Sequence, residues 1–135
     1  GGGADLEGCV CGDDCWGVID LLISENGSDG AIPDLVRRIL DDGAYVAWVG
    51  YMRPMEDADE YADCGGEVDL LRERLQRLDE SEDGMIFVDG ALIGTGVEED
   101  LYDPDGYHPS LEGCAALGEE VAQRVDGAFG LSALR

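Results

Sequence analysis

The chain has 135 residues, enough for one domain around a single core. Thirty-two acidic residues stand against eight basic ones, all arginine, for a net charge of −24. Such a surface repels phosphate backbones and anionic bilayers, which argues against nucleic acid and anionic membrane surfaces as partners. Charge of this size accompanies disorder where apolar residues are scarce. Here they make up 44% and fall into periodic blocks, so the acidity reads as the hydrated surface of a salt-adapted folded protein.

Residues 1–15 form a Gly- and Cys-rich loop. Its Cys9-x-Cys11-x3-Cys15 spacing departs from the Cys-x2-Cys of zinc sites, no His lies nearby, and Asp13 and Asp14 occupy the loop. Two disulfides drawn from Cys9, Cys11, Cys15 and Cys64 are expected instead, which points to a periplasmic or secreted location. A metal-binding Cys loop completed by Asp13 or Asp14 is the alternative. Cys114, within a helical pattern, is expected to be a small unpaired core residue. No apolar run approaches a membrane span and no signal-peptide pattern is visible. The chain opens on Gly1 rather than Met, so further residues are expected upstream.

Val18, Ile19, Leu22 and Ile23 recur at helical spacing, predicting a short helix over 16–23. A polar loop runs from Ser24 to Ile32. Pro33 then opens a helix to about Asp42, which Gly43 ends. Ala44 to Tyr51 is apolar with little alternation, predicting a strand buried on both faces. Met52 to Gly66 reads as a long acidic loop carrying Cys64. Glu67 to Leu78 is an amphipathic helix with Val68, Leu71, Leu75 and Leu78 on one stripe. Met85 to Val88 is a second buried strand, 90–107 an irregular loop, and Leu111 to Val125 the last helix.

This order predicts an α/β fold with a parallel sheet and right-handed crossovers. In such sheets ligands bind in the loops beyond the carboxyl ends of strands. The loop after the last strand carries the chain's one histidine, His108, three residues after Asp105. A tight turn can set the Asp105 carboxylate against one imidazole nitrogen, leaving the other to take a proton from a nucleophile. The competing possibility is a plain helix start, with Pro109 at the first helical position and Ser110 as cap.

The tail DPDGYHPSLEGCAALGEEVA, with Asp-x-x-His-Pro-Ser followed by Gly and a helix, resembles the last block of the SGNH, or GDSL-type, ester hydrolase family. The opening GGGAD resembles that family's third block, which usually reads Gly-x-Asn-Asp. The IPDLV helix and the GAYVAWVGY and MIFVD strands fit the same order, so the likeness spans nearly the whole chain. It implies the C-terminal portion of a three-layer, flavodoxin-like α/β/α sandwich. The activity it implies is hydrolysis of a small carboxylic ester or thioester without a cofactor. Carried over residue by residue, Asp105 orients His108, His108 acts as general base and then general acid, and Gly3, Ala4 and Asp5 form the oxyanion region.

Two features depart from the family pattern. There is no Gly-Asp-Ser nucleophile motif, and Ser24, Ser28, Ser81, Ser110 and Ser132 lack a nucleophile context. The nucleophile and the oxyanion-donating glycine are therefore expected upstream. Ala4 stands where the family places an oxyanion-donating Asn, and losing one such donor costs ~10²–10³ in rate. Ser24-Glu25-Asn26-Gly27 is a second, degraded register for that block. The expectation is an ester hydrolase in the intact protein, with this chain alone inactive; the alternative is a catalytically impaired binding or structural relative. If three strands lie upstream, the 44–51 strand has an unpaired apolar edge and the isolated chain is marginal or aggregation-prone.

Overall fold

The computed structural model describes residue 11 and residues 15–130. Helix α1 spans Cys15–Leu22. With Ile23 just beyond, it buries Ile19 and Ile23 completely, as the helical spacing predicts. Helix α2 spans Ala31–Asp41, beginning earlier than the expected start at Pro33. Its N-cap is Gly30 at φ 120, where a Cβ would stand 2.6 Å from Leu22 O. Pro33 is the third helical residue, a tolerated place because first-turn amides have no acceptor within the helix.

Strand β1 (Val46–Val49) leads to a 3-10 turn over Asp59–Cys64 and directly into helix α3 (Gly65–Ser81). The predicted 52–66 loop is therefore partly helical. Strand β2 (Met85–Val88) follows, then short 3-10 turns at Gly90–Leu92 and Glu99–Leu101. Helix α4 (Leu111–Phe129) ends at Gly130, whose φ of 62 gives the left-handed cap glycine favours.

The described residues form a mixed α/β fold with a two-stranded parallel sheet, in register Val46↔Met85 through Val49↔Val88. Its strands are joined through α3, as parallel strands require. Val46, Met85 and Phe87 pack with Ile19, Val36 and the α3 stripe of Leu71, Leu75 and Leu78 into the main core. Val68 of the same stripe is buried too. Alternation turns Ile86 and Val88 to the other face, and α4 packs against both strands. Arg74, nearly buried, ties α3 to the end of α1, donating to Asp20 (2.6 Å) and to Ile23 O (2.7 Å).

β2 is buried along its whole length, as expected, but β1 is not. Val46 is buried, Trp48 half-buried, and Ala47 and Val49 exposed. The physical reason is a lack of neighbours: among the described residues only β2 pairs with β1. At the outer edge of β2 the situation is reversed. Phe87 N–H donates to the Asp79 carboxylate of α3 at 2.8 Å, and Arg124 of α4 donates to Phe87 O at 3.3 Å. Arg124 and Asp79 approach to 3.8 Å, so one ion pair from two helices closes that edge.

Cys11 and Cys64 are joined in a disulfide with Cα atoms 4.9 Å apart, and Cys15 is disulfide-bonded too. Closing a separation of 53 residues is worth about 4 kcal/mol through the unfolded state. Cys114 departs from expectation: it is an exposed free thiol rather than a core residue. One residue of helix turns it away from the inner stripe of Gly113, Leu117 and Val121.

Candidate functional site

The loop that leaves β2 is tied down from its first residue. Asp89 accepts from Ala91 N–H at 3.2 Å, capping the Gly90–Leu92 turn. Its carboxylate also takes a forked pair of bonds from Arg72 of α3, Nε to Oδ1 at 2.8 Å and Nη2 to Oδ2 at 2.6 Å. Arg72 reaches Asp69 as well, at 3.2 Å, and Asp69 pairs with Arg53. The Arg53 bond, with help from Arg72, holds the Asp69 carboxyl below its ordinary range. Farther along, Tyr102 donates its hydroxyl to Arg53 O (2.6 Å) and accepts from Gly96 N–H (3.0 Å). Burial pushes that phenol up.

The turn that follows places the two predicted residues together. Gly106 N–H donates to Asp103 O and Asp103 N–H to His108 O, each at 2.9 Å. Gly106 sits at φ 69 and packs so closely that a Cβ would lie 3.1 Å from the Ala58 side chain. This tight closure lets Asp105 Oδ1 accept from the N–H groups of Tyr107 (2.9 Å) and His108 (3.0 Å). Its other oxygen meets His108 Nδ1 at 2.6 Å. The imidazole bond, followed by those two backbone bonds, holds the Asp105 carboxyl down at about 2 from its ordinary 3.8. An ionised Asp105 makes Nδ1 the protonated nitrogen, so the lone pair of a neutral His108 lies on Nε2. The His108 side chain is 61% exposed, and no described residue hydrogen-bonds Nε2.

The same segment also starts a helix. Ser110 caps α4, accepting from Gly113 N–H at 3.1 Å while donating its own hydroxyl to Asp100 O at 2.6 Å. Pro109 does not take the first helical position expected for it; it precedes the cap and forms an isolated antiparallel bridge with Tyr102. The other described serines are engaged locally. Ser24 and Ser28 turn toward Asn26 Oδ1, and Ser81 toward Leu78 O. No described serine hydrogen-bonds His108.

Asn26 is not beside the histidine. The backbone of Gly27 lies against the C-terminal half of α3, where a Cβ would be 2.7 Å from Arg74 O. The His108 loop lies near the other end of α3, roughly 15 Å away along the helix axis. The Ser24–Gly27 register therefore brings no oxyanion donor to this loop. Gly3, Ala4, Asp5, Cys9, Asp13 and Asp14 lie outside the described residues. Sulfurs joined in disulfides offer no thiolate to a metal, and among the described residues no group of three or more acidic, His or Cys side chains is placed to hold one. No described helix is long and apolar enough to cross a membrane.

Three tyrosines that sequence patterns did not single out complete the surroundings. Tyr107 stacks on Tyr61 with ring centroids 4.0 Å apart, and Tyr51 lies nearly parallel to it at 6.3 Å. The His108 ring meets Tyr107 at 5.0 Å and 77°. Tyr107, next to the histidine, carried a local signal; Tyr51 and Tyr61 are distant in sequence and carried none. No protein-family model matches the chain, and neither a curated protein nor a solved structure is significantly similar to it.

Proposed function

We propose that this chain carries the acid–base half of a serine ester hydrolase site of the SGNH type, acting on a small carboxylic ester or thioester. The observation that carries the proposal is the Asp105–His108 pair, with Nδ1 bonded to the carboxylate at 2.6 Å and Nε2 open. In this arrangement Asp105 orients the ring. Nε2 takes the proton of an attacking serine and returns it to the leaving alcohol or thiol. The serine and the oxyanion donors come from segments outside the described residues. An acidic cleft lined by Met55, Asp57, Glu99 and Asp103 adjoins the turn at Gly106.

A parallel pair of strands joined through α3 and contacted by α3 and α4 supports a three-layer sandwich as the parent architecture. The Cys11–Cys64 disulfide is compatible with a periplasmic or secreted setting.

Hydrolysis of nitrophenyl esters by the intact protein tests the proposal. His108→Ala should lower turnover about 10²–10⁴-fold, the contribution of a positioned general base; unchanged turnover would sink it. Ala4, where the family pattern has Asn, favours a second reading as a binding relative on the same scaffold. That reading prevails if neither the natural protein nor an Ala4→Asn variant hydrolyses any such ester.

A further inference from the structure

The segment 53–64 reads in sequence as an acidic loop without a code, yet the histidine loop lies on it at four points. Tyr102 donates to Arg53 O at 2.6 Å, and Met55 N–H donates to Gly106 O at 2.9 Å. Gly106, at φ 69, packs against Ala58, where a Cβ would lie 3.1 Å from the alanine side chain, and Tyr61 stacks on Tyr107 at 4.0 Å. At its far end the segment is anchored twice, by the Cys11–Cys64 disulfide and by the start of α3 at Gly65.

The chain of contacts ends on the imidazole. Tyr107 is pressed between Tyr61 and the histidine ring, while its own N–H is one of the two backbone donors holding Asp105 Oδ1. A shift of Tyr107 therefore moves both partners of the Asp105–His108 bond at once. Among the described residues Asp105 makes the one hydrogen bond to the ring and Tyr107 its one aromatic contact, and the side chain is 61% exposed.

We infer that residues 53–64 form a positioning bed for His108, with Tyr61 and Tyr107 as positioning residues and the Cys11–Cys64 disulfide as the anchor that fixes the bed. The catalytic consequence rests on the hydrolase proposal above; the positioning itself does not. The bed acts by holding Tyr107, and through it the turn in which Asp105 selects the Nδ1–H tautomer and leaves Nε2 as the base. Loss of the Tyr61 ring, or opening of the disulfide, releases Tyr107 and lets the imidazole sample geometries in which Nδ1 no longer faces the carboxylate.

The lone histidine makes this measurable without any substrate. Its 15N and 13Cδ2 resonances in the 135-residue chain report the ratio of Nδ1–H to Nε2–H tautomers at about pH 9, above the ordinary imidazole range. Tyr61→Phe and Tyr107→Phe, which keep the rings, should retain the natural ratio. Tyr61→Leu and Tyr107→Leu should lower it several-fold, the scale of one lost aromatic pair. Cys11→Ser and Cys64→Ser together, which remove this disulfide and leave the one at Cys15, should shift the ratio in the same direction, reading the link without touching the stack. A natural ratio in a leucine variant that is folded by its amide spectrum overturns the inference. So does an unchanged ratio after the disulfide is opened in a chain that stays folded. In the intact protein, Tyr61→Leu should lower kcat and leave KM within twofold. A tautomer shift in a protein that hydrolyses no ester removes the hydrolase proposal and leaves the positioning bed standing; hydrolysis with no tautomer shift does the reverse.

Discussion

The strands VAWV and MIFV are equally short, equally apolar and paired to each other, yet β2 is buried at every position while β1 leaves Ala47 and Val49 exposed. The difference lies in what surrounds them. β2 has α3 and α4 packed against it, and its outer edge is closed by Asp79 and Arg124 on the Phe87 peptide groups. β1 has β2 on one edge and, among the described residues, no strand on the other. An apolar strand sequence states what can be buried; neighbours decide what is.

The sharpest way to break this comparison is a matched pair of truncations. Phe87→Ala, at a side chain 3% exposed in the main core, should cost about 3–5 kcal/mol in urea unfolding. Val49→Ala, at an exposed position on the partner strand, should cost under about 1 kcal/mol. Equal losses would mean that β1 is as buried as β2 in solution.

A smaller effect isolates the closed edge. Asp79→Ala leaves the Phe87 N–H without its acceptor and should destabilise by about 1–3 kcal/mol. Arg124→Ala, removing the looser and more exposed half of the pair, should cost under about 1 kcal/mol. A reversed order would place the weight of the edge on the cation rather than on the peptide bond it caps.

The comparison extends to the loops each strand delivers, since β1 leads to the bed and β2 to the histidine turn. Asp105 belongs to the second. Its folded pKa of about 2 lies below the ordinary 3.8, so its stabilising contribution is full above about pH 4 and lost as pH falls through about 2. The stability gap between the natural chain and Asp105→Asn should close over that window. A gap that persists below pH 2 would show that the carboxylate's charge is not what holds the turn.

The smallest expected change is on the open edge. Ala47→Lys should leave stability within about 0.5 kcal/mol, because position 47 is exposed. It should nonetheless reduce self-association, measured by light scattering in about 1 M salt, where the screening length falls to about 3 Å and the net charge of −24 no longer keeps copies apart. Identical scattering by both chains would mean that the β1 edge is already covered.

Local features of the site were legible in the sequence because local rules govern them. Asp105 and His108 are three residues apart, and Gly106 between them supplies the positive φ that such a closed turn requires. Ser110 as a cap follows from residue type and position alone. The helical stripe of Val68, Leu71, Leu75 and Leu78 was readable for the same reason, since its period repeats within one element. Pro33 misled by two residues because any first-turn position tolerates proline. Cys114 misled because a stripe on a thinly covered helix is narrow, and one residue off it faces water.

By itself, then, the sequence determined the element order, the parallel α/β character, the acidic surface and the Asp105–His108 contact, all of which follow from composition, periodicity and spacings of a few residues. Only the tertiary structure decided that β1 stays half-exposed, that an Asp79–Arg124 pair closes β2, and that residues 53–64 lie beneath the histidine turn. Each of those joins residues tens of positions apart. No local preference encodes such a pairing; it emerges when the whole chain buries its apolar surface and satisfies its buried polar groups together.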